Sequence, residues 1–369
     1  MKKFLLISVI IVLCSFIFMP SFSWFSNADD GQLSDKIYVY NDSGELLIEK
    51  SGVEVGDEFL DENFERWTIY FVDNNTALAK KIEKEVVPKI KIKNSQTKSG
   101  ENNKKICLYM THNDESYVPS DGYDSIYGAG GIHDVAKDLK SHLEELGISV
   151  FLDETLHIPH NSSAYTRSKL TATNLQTNYH PSALFDIHRD GVAKSVYISQ
   201  NETTPISKIR IVVGKGNSSF EQNYAFAKEI FSVGQALYPW LFLDIYCGKG
   251  TYNQNLQDHA LLFEMGTYLI EKEYVYEATP YLANVINTVL FKTQDEANGD
   301  IVIDEETIND LEEDYANRNN LIENKEISQQ NTKNSQNLSI FISIIIISGI
   351  VTGSSLLIIV LKTKKINHS

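Results

Sequence analysis

Cysteine is scarce: the 369-residue sequence contains three, and one of them, Cys14, lies in an N-terminal apolar run. Three widely spaced cysteines form neither a disulfide framework nor a zinc-ligand spacing. Cys107, on an expected strand, is therefore read as a small buried hydrophobe, and Cys247 is placed in a loop. Basic charge is also in short supply. Lys and Arg number 33 against 49 Asp and Glu, for a net charge of −16. A nucleic-acid ligand requires a basic surface, so it is excluded as the main partner. No G-x-S-x-G occurs and no serine stands at a strand-to-helix elbow, which removes a serine hydrolase. Gly128-Ala129-Gly130-Gly131 precedes a helix but lacks the lysine and spacing of a phosphate loop. Apolar residues are not lacking: a 42% hydrophobic content supports a true core.

Two apolar segments set an expected compartment. Lys2 and Lys3 precede a run from Phe4 to about Phe18, followed by Pro20 and the small-x-small stretch Ser26-Asn27-Ala28. That is the layout of a secretory signal peptide, and the run is nearly long enough to be an uncleaved anchor; residues 1–28 are read as one or the other. Leu338 to Leu361 carries no charge and is followed by Lys362, Lys364 and Lys365. Roughly 20 apolar residues cross a bilayer, and trailing lysines favour the cytoplasmic side. Residues 338–361 are thus expected to be a transmembrane helix with 362–369 as a cytoplasmic tail. The rest of the chain then lies on the extracytoplasmic side of the cell membrane. The acidic stretch from Asp295 to Glu326 reads residues 294–337 as a solvated polar linker.

Between these ends the pattern falls into two parts. From Lys36 to about Leu78, short alternating bursts such as Ile37-Tyr38-Val39-Tyr40 and Trp67-Thr68-Ile69-Tyr70-Phe71-Val72 are separated by turn signals at Asn41-Asp42-Ser43-Gly44 and Val55-Gly56-Asp57. Residues 29–88 read as a small β-rich module without histidine, suited to binding or spacing. Polar residues 89–104 read as a linker. Residues 105–293 alternate strand and helix: strands Ile106–Met110, Ile148–Leu152, Ala183–Ile187, Ile209–Val213 and Ala260–Glu264, and helices Asp134–Leu146, Ala164–Leu175, Phe220–Leu237 and Glu273–Leu290. Fully apolar strands alternating with helices predict an α/β fold, a mostly parallel twisted sheet with helices on both faces. In such sheets ligands sit at the carboxyl ends of the strands.

Three candidate segments fall on that edge. His112 and Glu115 follow the first strand, His188 ends Phe185-Asp186-Ile187-His188-Arg189-Asp190, and Glu264 sits inside Leu261-Leu262-Phe263-Glu264-Met265-Gly266. Two imidazoles and a carboxylate bind zinc, and a second carboxylate handles protons. His-x-x-Glu is the spacing of zinc carboxypeptidases, yet on its own it is a common pattern. A lone His188 reads as a core histidine bonded to the backbone, but three flanking charges demand partners. Glu264 has two readings, an ion pair with Arg189 or Arg210, or a general base and acid. Other histidines compete: His157 and His160 around Pro159 can replace Glu115 as a ligand, as can His133 before the helix, and His259 can line the cleft. His142 and His180 look like surface positions.

These segments, with Tyr165-Thr166-Arg167-Ser168, Val212-Val213-Gly214, Asn223, Tyr252-Asn253-Gln254 and the module's Val55-Gly56-Asp57-Glu58 and Asn63, resemble the stage II sporulation protein P family of endospore-forming bacteria. The resemblance implies an N-acetylmuramoyl-L-alanine amidase fold and Zn2+-dependent cleavage between the glycan's lactyl group and the stem peptide, with an accompanying endopeptidase activity. It implies peptidoglycan as substrate during forespore engulfment. The implied partners are a lytic transglycosylase (sporulation protein D) and a membrane partner (sporulation protein M). By this resemblance His112 and His188 bind the metal, Glu264 is the catalytic acid, and Glu115 is a ligand by spacing. Arg189, Asn253 and Gln254 are assigned to substrate binding. Two departures stand out: Gly130-Gly131 replaces the usual asparagine before the first helix, and the C-terminal span is not expected of the family. The competing readings are a zinc carboxypeptidase or cross-link endopeptidase, and a non-catalytic wall-binding membrane scaffold.

Overall fold

The computed structural model describes residues 36–86, 90–93, 104–161, 163–201, 204–295 and 301–318. Both apolar segments expected to meet a membrane lie outside the described residues. Among those residues no helix is long and apolar enough to cross a membrane.

Five strands come first: β1 (Lys36–Tyr40), β2 (Leu46–Ser51), β3 (Glu58–Leu60), β4 (Glu65–Asp73) and β5 (Thr76–Lys84). The β1–β2 hairpin turns at Asn41, whose side-chain oxygen accepts the Ser43 and Glu45 amides at 3.0 Å each. Gly44 follows at φ 80°, a left-handed position that a residue without Cβ adopts freely. This turn fixes the register in which Ile37 pairs with Lys50. Next come β6 (Ile90–Lys93), β7 (Lys105–Tyr109), helix α1 (Ile132–Glu145), β8 (Ser149–Asp153), α2 (Ala164–Tyr179) and β9 (Ala183–Asp190). The short pair β10 (Ile198–Asn201) and β11 (Thr204–Ser207) leads to β12 (Ile209–Gly214), α3 (Phe220–Leu237), β13 (Phe242–Gly248) and β14 (Ala260–Thr267). Helix α4 (Lys272–Phe291), β15 (Thr293–Asp295) and β16 (Ile301–Asp304) follow. Helix α1 forms because Ile132, Val135, Ala136, Leu139 and Leu143 recur at helical spacing and are buried on one face. Gly147, at φ 75°, ends that stretch.

Eleven strands make one sheet in the order β2-β1-β5-β4-β3-β13-β12-β14-β9-β7-β8. Strands β8, β7, β9 and β14 run parallel to one another, and β12 and β13 are parallel to each other but antiparallel to β14. The part expected to be mostly parallel is so, with one reversal at β12. The β-rich segment is not a separate body. Leu60, Phe59 and Glu58 of β3 pair with Ile245, Tyr246 and Cys247 of β13, continuing the same sheet. Asp57 clasps this joint, accepting the Tyr246 hydroxyl at 2.5 Å and the Lys249 amide at 3.1 Å.

Side chains on a strand alternate faces, and that alternation locates the site. Ile106, Leu108, Phe185, Ile187, Ile211, Val213, Leu261 and Phe263 enter one large core with α1, α3 and α4. On the opposite face Cys107, Tyr109, Leu184 and Ala260 pack under Ala172 and Leu175 of α2. Val212, Leu262 and Tyr246 pack on that face under Val39, Phe59, Ile69 and Ala77. Asp186, His188, Asp190, Arg210 and Glu264 share this second face by the same alternation. The site therefore opens between α2 and the β-rich segment.

Several expectations are corrected. Cys247 lies on β13, a strand the sequence reading passed over, and not in a loop. Cys107 and Cys247 are both buried and free. Ile90–Lys93, inside the stretch read as linker, pairs in parallel with β16, and residues 305–318 of the expected acidic linker are helical.

Candidate active site

The turn after β7 is tied to β9 before any functional atom is considered. Asp186 accepts the Thr111 amide at 2.8 Å and the Thr111 hydroxyl at 2.6 Å, holding the start of the turn over the neighbouring strand. Gly130 and Gly131 brace its far side. Gly130 donates to Asn113 O and Ile132 to Glu115 O, each at 3.0 Å. A Cβ on Gly130 would sit 2.4 Å from Glu115 O, and one on Gly131 would sit 2.0 Å from Asp121 Oδ2. The glycine stretch is there for close backbone packing around the His112–Glu115 turn.

Glu115 stands between two imidazoles. Its Oε1 is 3.1 Å from His112 Nδ1 and 3.4 Å from His188 Nδ1, and its Oε2 accepts the Arg189 amide at 2.9 Å. Burial pushes the Glu115 carboxyl up, but the His188 charge and the His112 hydrogen bond outweigh it and hold it well below the ordinary range. His188 behaves conversely: burial opposes its protonation, while Asp186 and Glu115 raise it well above the ordinary histidine value. Its Nε2 lies 3.0 Å from Asp186 Oδ1, at ion-pair distance but outside hydrogen-bond alignment. Burial lowers His112. Tetrahedral zinc, with ligand bonds near 2.0–2.1 Å, places neighbouring ligand atoms roughly 3.3 Å apart. The two distances from Glu115 Oε1 to the imidazole nitrogens, 3.1 and 3.4 Å, lie near that spacing.

The competing histidines sort clearly. His160 stacks on His112 with ring centroids 3.8 Å apart, and its Nδ1 is 3.0 Å from Asp114 Oδ1. Among the described residues, His112, Glu115 and His160 form the group of donors lying within 4.8 Å of one another. His157 is engaged at both ring nitrogens, by Met110 O at 2.8 Å and Thr171 Oγ1 at 2.9 Å. His133 sits on α1 against Glu154 and lines a different cavity. Neither stands with the Glu115 cluster.

Glu264 projects beside His188 because the two residues are register partners on parallel β14 and β9. It is 9% exposed, its Oε1 is 3.5 Å from Lys50 Nζ, and its Oε2 has no hydrogen-bond partner among the described residues. Burial pushes its carboxyl up to about 7; Lys50 pulls it down and Asp190 pushes it up. Neither expected arginine pairs with it. Arg210 is held by Asp244 at 2.7 and 2.9 Å and by Asp190 at 2.5 Å. Arg189 donates to Ser116 O at 3.3 Å and Asp124 O at 2.8 Å.

His112, Glu115, His160, His188 and Glu264 line one cavity of about 300 Å³, together with Tyr165, Tyr252 and Lys50. Arg189 is on its wall, but Asn253 and Gln254 are not. Asn253 donates to Tyr165 O and Ser168 Oγ, and Gln254 bonds Gly214 N at 2.7 Å and Val212 O at 2.8 Å. The Asn253 amide thus serves the start of α2, and the Gln254 amide joins the end of β12. Lys50 was missed, because nothing in a histidine-free β hairpin marks it.

The fold and cluster together define an α/β protein with histidine and glutamate side chains gathered in one cavity. The family model of stage II sporulation protein P matches residues 51–287, well over half of the sequence. The chain belongs to that family. Stage II sporulation protein P of Bacillus subtilis (strain 168) is 28% identical over 181 residues, 44% of this chain and 45% of that protein. The match thus spans less than half of that relative's length. Among solved structures, the CwlD amidase of Clostridioides difficile in complex with the GerS lipoprotein is 12% identical with a TM-score of 0.37, covering 51% of this chain and 98% of that one. The catalytic domain of CwlV, an N-acetylmuramoyl-L-alanine amidase of Bacillus (Paenibacillus) polymyxa var. colistinus, is 12% identical with a TM-score of 0.33, covering 51% and 98%.

Proposed function

We propose that the chain is a metal-dependent peptidoglycan hydrolase of the N-acetylmuramoyl-L-alanine amidase type. Its bond is the amide between the lactyl group of muramic acid and the first L-alanine of the stem peptide. One observation carries this reading: two buried carboxylates of opposite tuning face one cavity, Glu115 between His112 and His188, and Glu264 beside His188 with its carboxyl at about 7. Family membership supports the substrate.

His112, Glu115 and His188 would hold the metal, and two imidazoles with one carboxylate suit zinc. Such an ion supplies Lewis acidity to a carbonyl and lowers the pKa of water to about 7. Asp186 orients the His188 ring, and the Arg189 amide fixes the Glu115 carboxylate. Glu264 takes a proton from water at its unpartnered Oε2 and delivers it to the departing amine. Water adds to the carbonyl carbon, the C–N bond breaks, and the products are a lactyl carboxylic acid and a free L-alanine amine.

The purified full-length chain should release intact stem peptides from sacculi, leaving a free lactyl carboxyl on muramic acid by mass spectrometry. Chelation should abolish the release and zinc restore it. Glu264→Gln should lower the rate roughly 10²- to 10⁴-fold; a variant as active as wild type would remove Glu264 from the mechanism. A second reading, a carboxypeptidase or cross-link endopeptidase, is favoured by the His-x-x-Glu donor spacing. It predicts trimmed peptides with the lactyl amide intact. The reading also places the activity in forespore engulfment, outside the cytoplasm at the septal or forespore membrane, beside sporulation proteins D and M. Fractionation and co-purification from sporulating cells check this, and an exclusively cytosolic chain would overturn it.

A further inference from the structure

Lys50 stands 214 residues before Glu264 in sequence, yet its ammonium ends in the same cavity. Its side chain is 10% exposed. Nζ lies 3.2 Å from Asp190 Oδ1, 3.4 Å from Ser51 O and 3.5 Å from Glu264 Oε1. A lysine buried this far requires partners, and the plain explanation is that it neutralises Asp190.

The contacts of the two carboxylates argue otherwise. Asp190 is already satisfied without Lys50, by Arg210 at 2.5 Å, the Gly191 amide at 2.8 Å, the Tyr197 hydroxyl at 3.0 Å and the Ser51 hydroxyl at 3.2 Å. Glu264 has only Lys50: among the described residues its Oε1 meets that ammonium and its Oε2 meets nothing. The cation is one of five partners of one carboxylate and the sole polar anchor of the other. Its own placement is firm, because β2 is pinned to the site at Glu49, whose carboxylate accepts the Ala193 amide at 2.6 Å and whose carbonyl accepts Arg210 Nη2 at 3.1 Å.

We propose that Lys50 is a positioning residue, holding Oε1 of Glu264 and so fixing the direction of its unpartnered Oε2 in the site beside His188. The β-rich segment is then a working part of the site and not a spacer. This inference rests on the hydrolase reading. A carboxylate free to rotate about its terminal torsion loses the alignment on which proton transfer depends, and small misplacements of a reacting group are worth on the order of 10²-fold in rate.

The test compares full-length wild type, Lys50→Met, Lys50→Gln, Glu264→Gln and the Lys50→Met/Glu264→Gln double variant. Turnover on sacculi, bound zinc and the melting midpoint are measured for each. Lys50→Met and Lys50→Gln should lower kcat roughly 10- to 100-fold, with KM and zinc content within about twofold of wild type. In the Glu264→Gln background the lysine substitution should have no further effect on kcat, because the two groups act as one unit. A structural role predicts the same fractional loss in both backgrounds, and that outcome overturns the proposal. So does kcat within twofold of wild type in either single variant. If Lys50→Met fails to fold, the polar Lys50→Gln decides. An active wild type with unaffected lysine variants removes Lys50 alone; an inactive zinc-loaded wild type removes the hydrolase reading and this role with it.

Discussion

Glu115 and Glu264 are buried carboxylates in one cavity, and their neighbours drive them in opposite directions. Two imidazoles hold Glu115 ionised, whereas Glu264, with a single cation on one oxygen, is pushed up to about 7. Environments that separate two carboxylates in this way assign one to binding and one to proton traffic. The shift also has a stability consequence with a definite sign. A carboxyl raised above its unfolded value of about 4.5 contributes stability below that pH and loses it as pH climbs through 7. In chelated protein this contribution, on the order of 2–3 kcal/mol at pH 5, should vanish by about pH 8.5. Urea denaturation of wild type and Glu264→Gln checks it: the stability difference between them must change across that interval, and a constant difference would refute the shift. The thiols give a second prediction. Burial pushes Cys107 up to about 12 and Cys247 higher still, so neither is a thiolate at neutral pH. Native protein should show slow labelling of both by a thiol reagent and prompt labelling after denaturation; fast native reaction of either would contradict their burial. At this scale the sequence was legible where a residue contradicted its surroundings, as Glu264 does in an apolar strand. It was silent on what Asn253 and Gln254 hold, namely Tyr165 O, Ser168 Oγ, Gly214 N and Val212 O.

Elements explain which of these residues can meet. Parallel β7, β9 and β14 deliver His112, His188 and Glu264 to one edge, and hydrophobic runs bounded by turn signals made those strands readable. Strand β13 escaped because Asp244 interrupts its apolar run; only the fold shows that this carboxylate answers Arg210. The glycines before α1 are equally opaque in sequence, where they imitate a phosphate loop. Their role predicts a sharp effect. Gly130→Ala places a methyl 2.4 Å from Glu115 O and 2.6 Å from Asn113 O, so the turn must move. Zinc affinity, measured by competition with a chromogenic chelator, should fall roughly 10- to 100-fold. Unchanged affinity would mean that the turn shifts without disturbing its donors.

At the scale of the whole molecule, the β-rich segment and the α/β part share a sheet through β3 and β13, and their cores meet there. Leu60 belongs to the large core of the α/β part, while its neighbour Phe59 belongs to the core of the β-rich segment. Leu60 is fully buried, and Leu60→Ala should destabilise the fold by about 2–5 kcal/mol. The loss should appear as one cooperative transition, followed by calorimetry and by hydrogen exchange of β1–β5. A separate early melting of those strands would show two independent bodies. This continuity is what sequence reading could not supply. Periodicity reports local structure, but the pairing of β3 with β13 joins segments far apart in the chain, and Lys50 acquires its neighbours only through that closure.

The pairing of Glu264 with His188 across β14 and β9 carries a last implication. Neighbouring strands repeat at about 4.7–4.9 Å, a spacing dictated by backbone geometry and insensitive to side-chain identity. The spacing between the Glu264 and His188 backbones is thus set by the ruler of the peptide lattice.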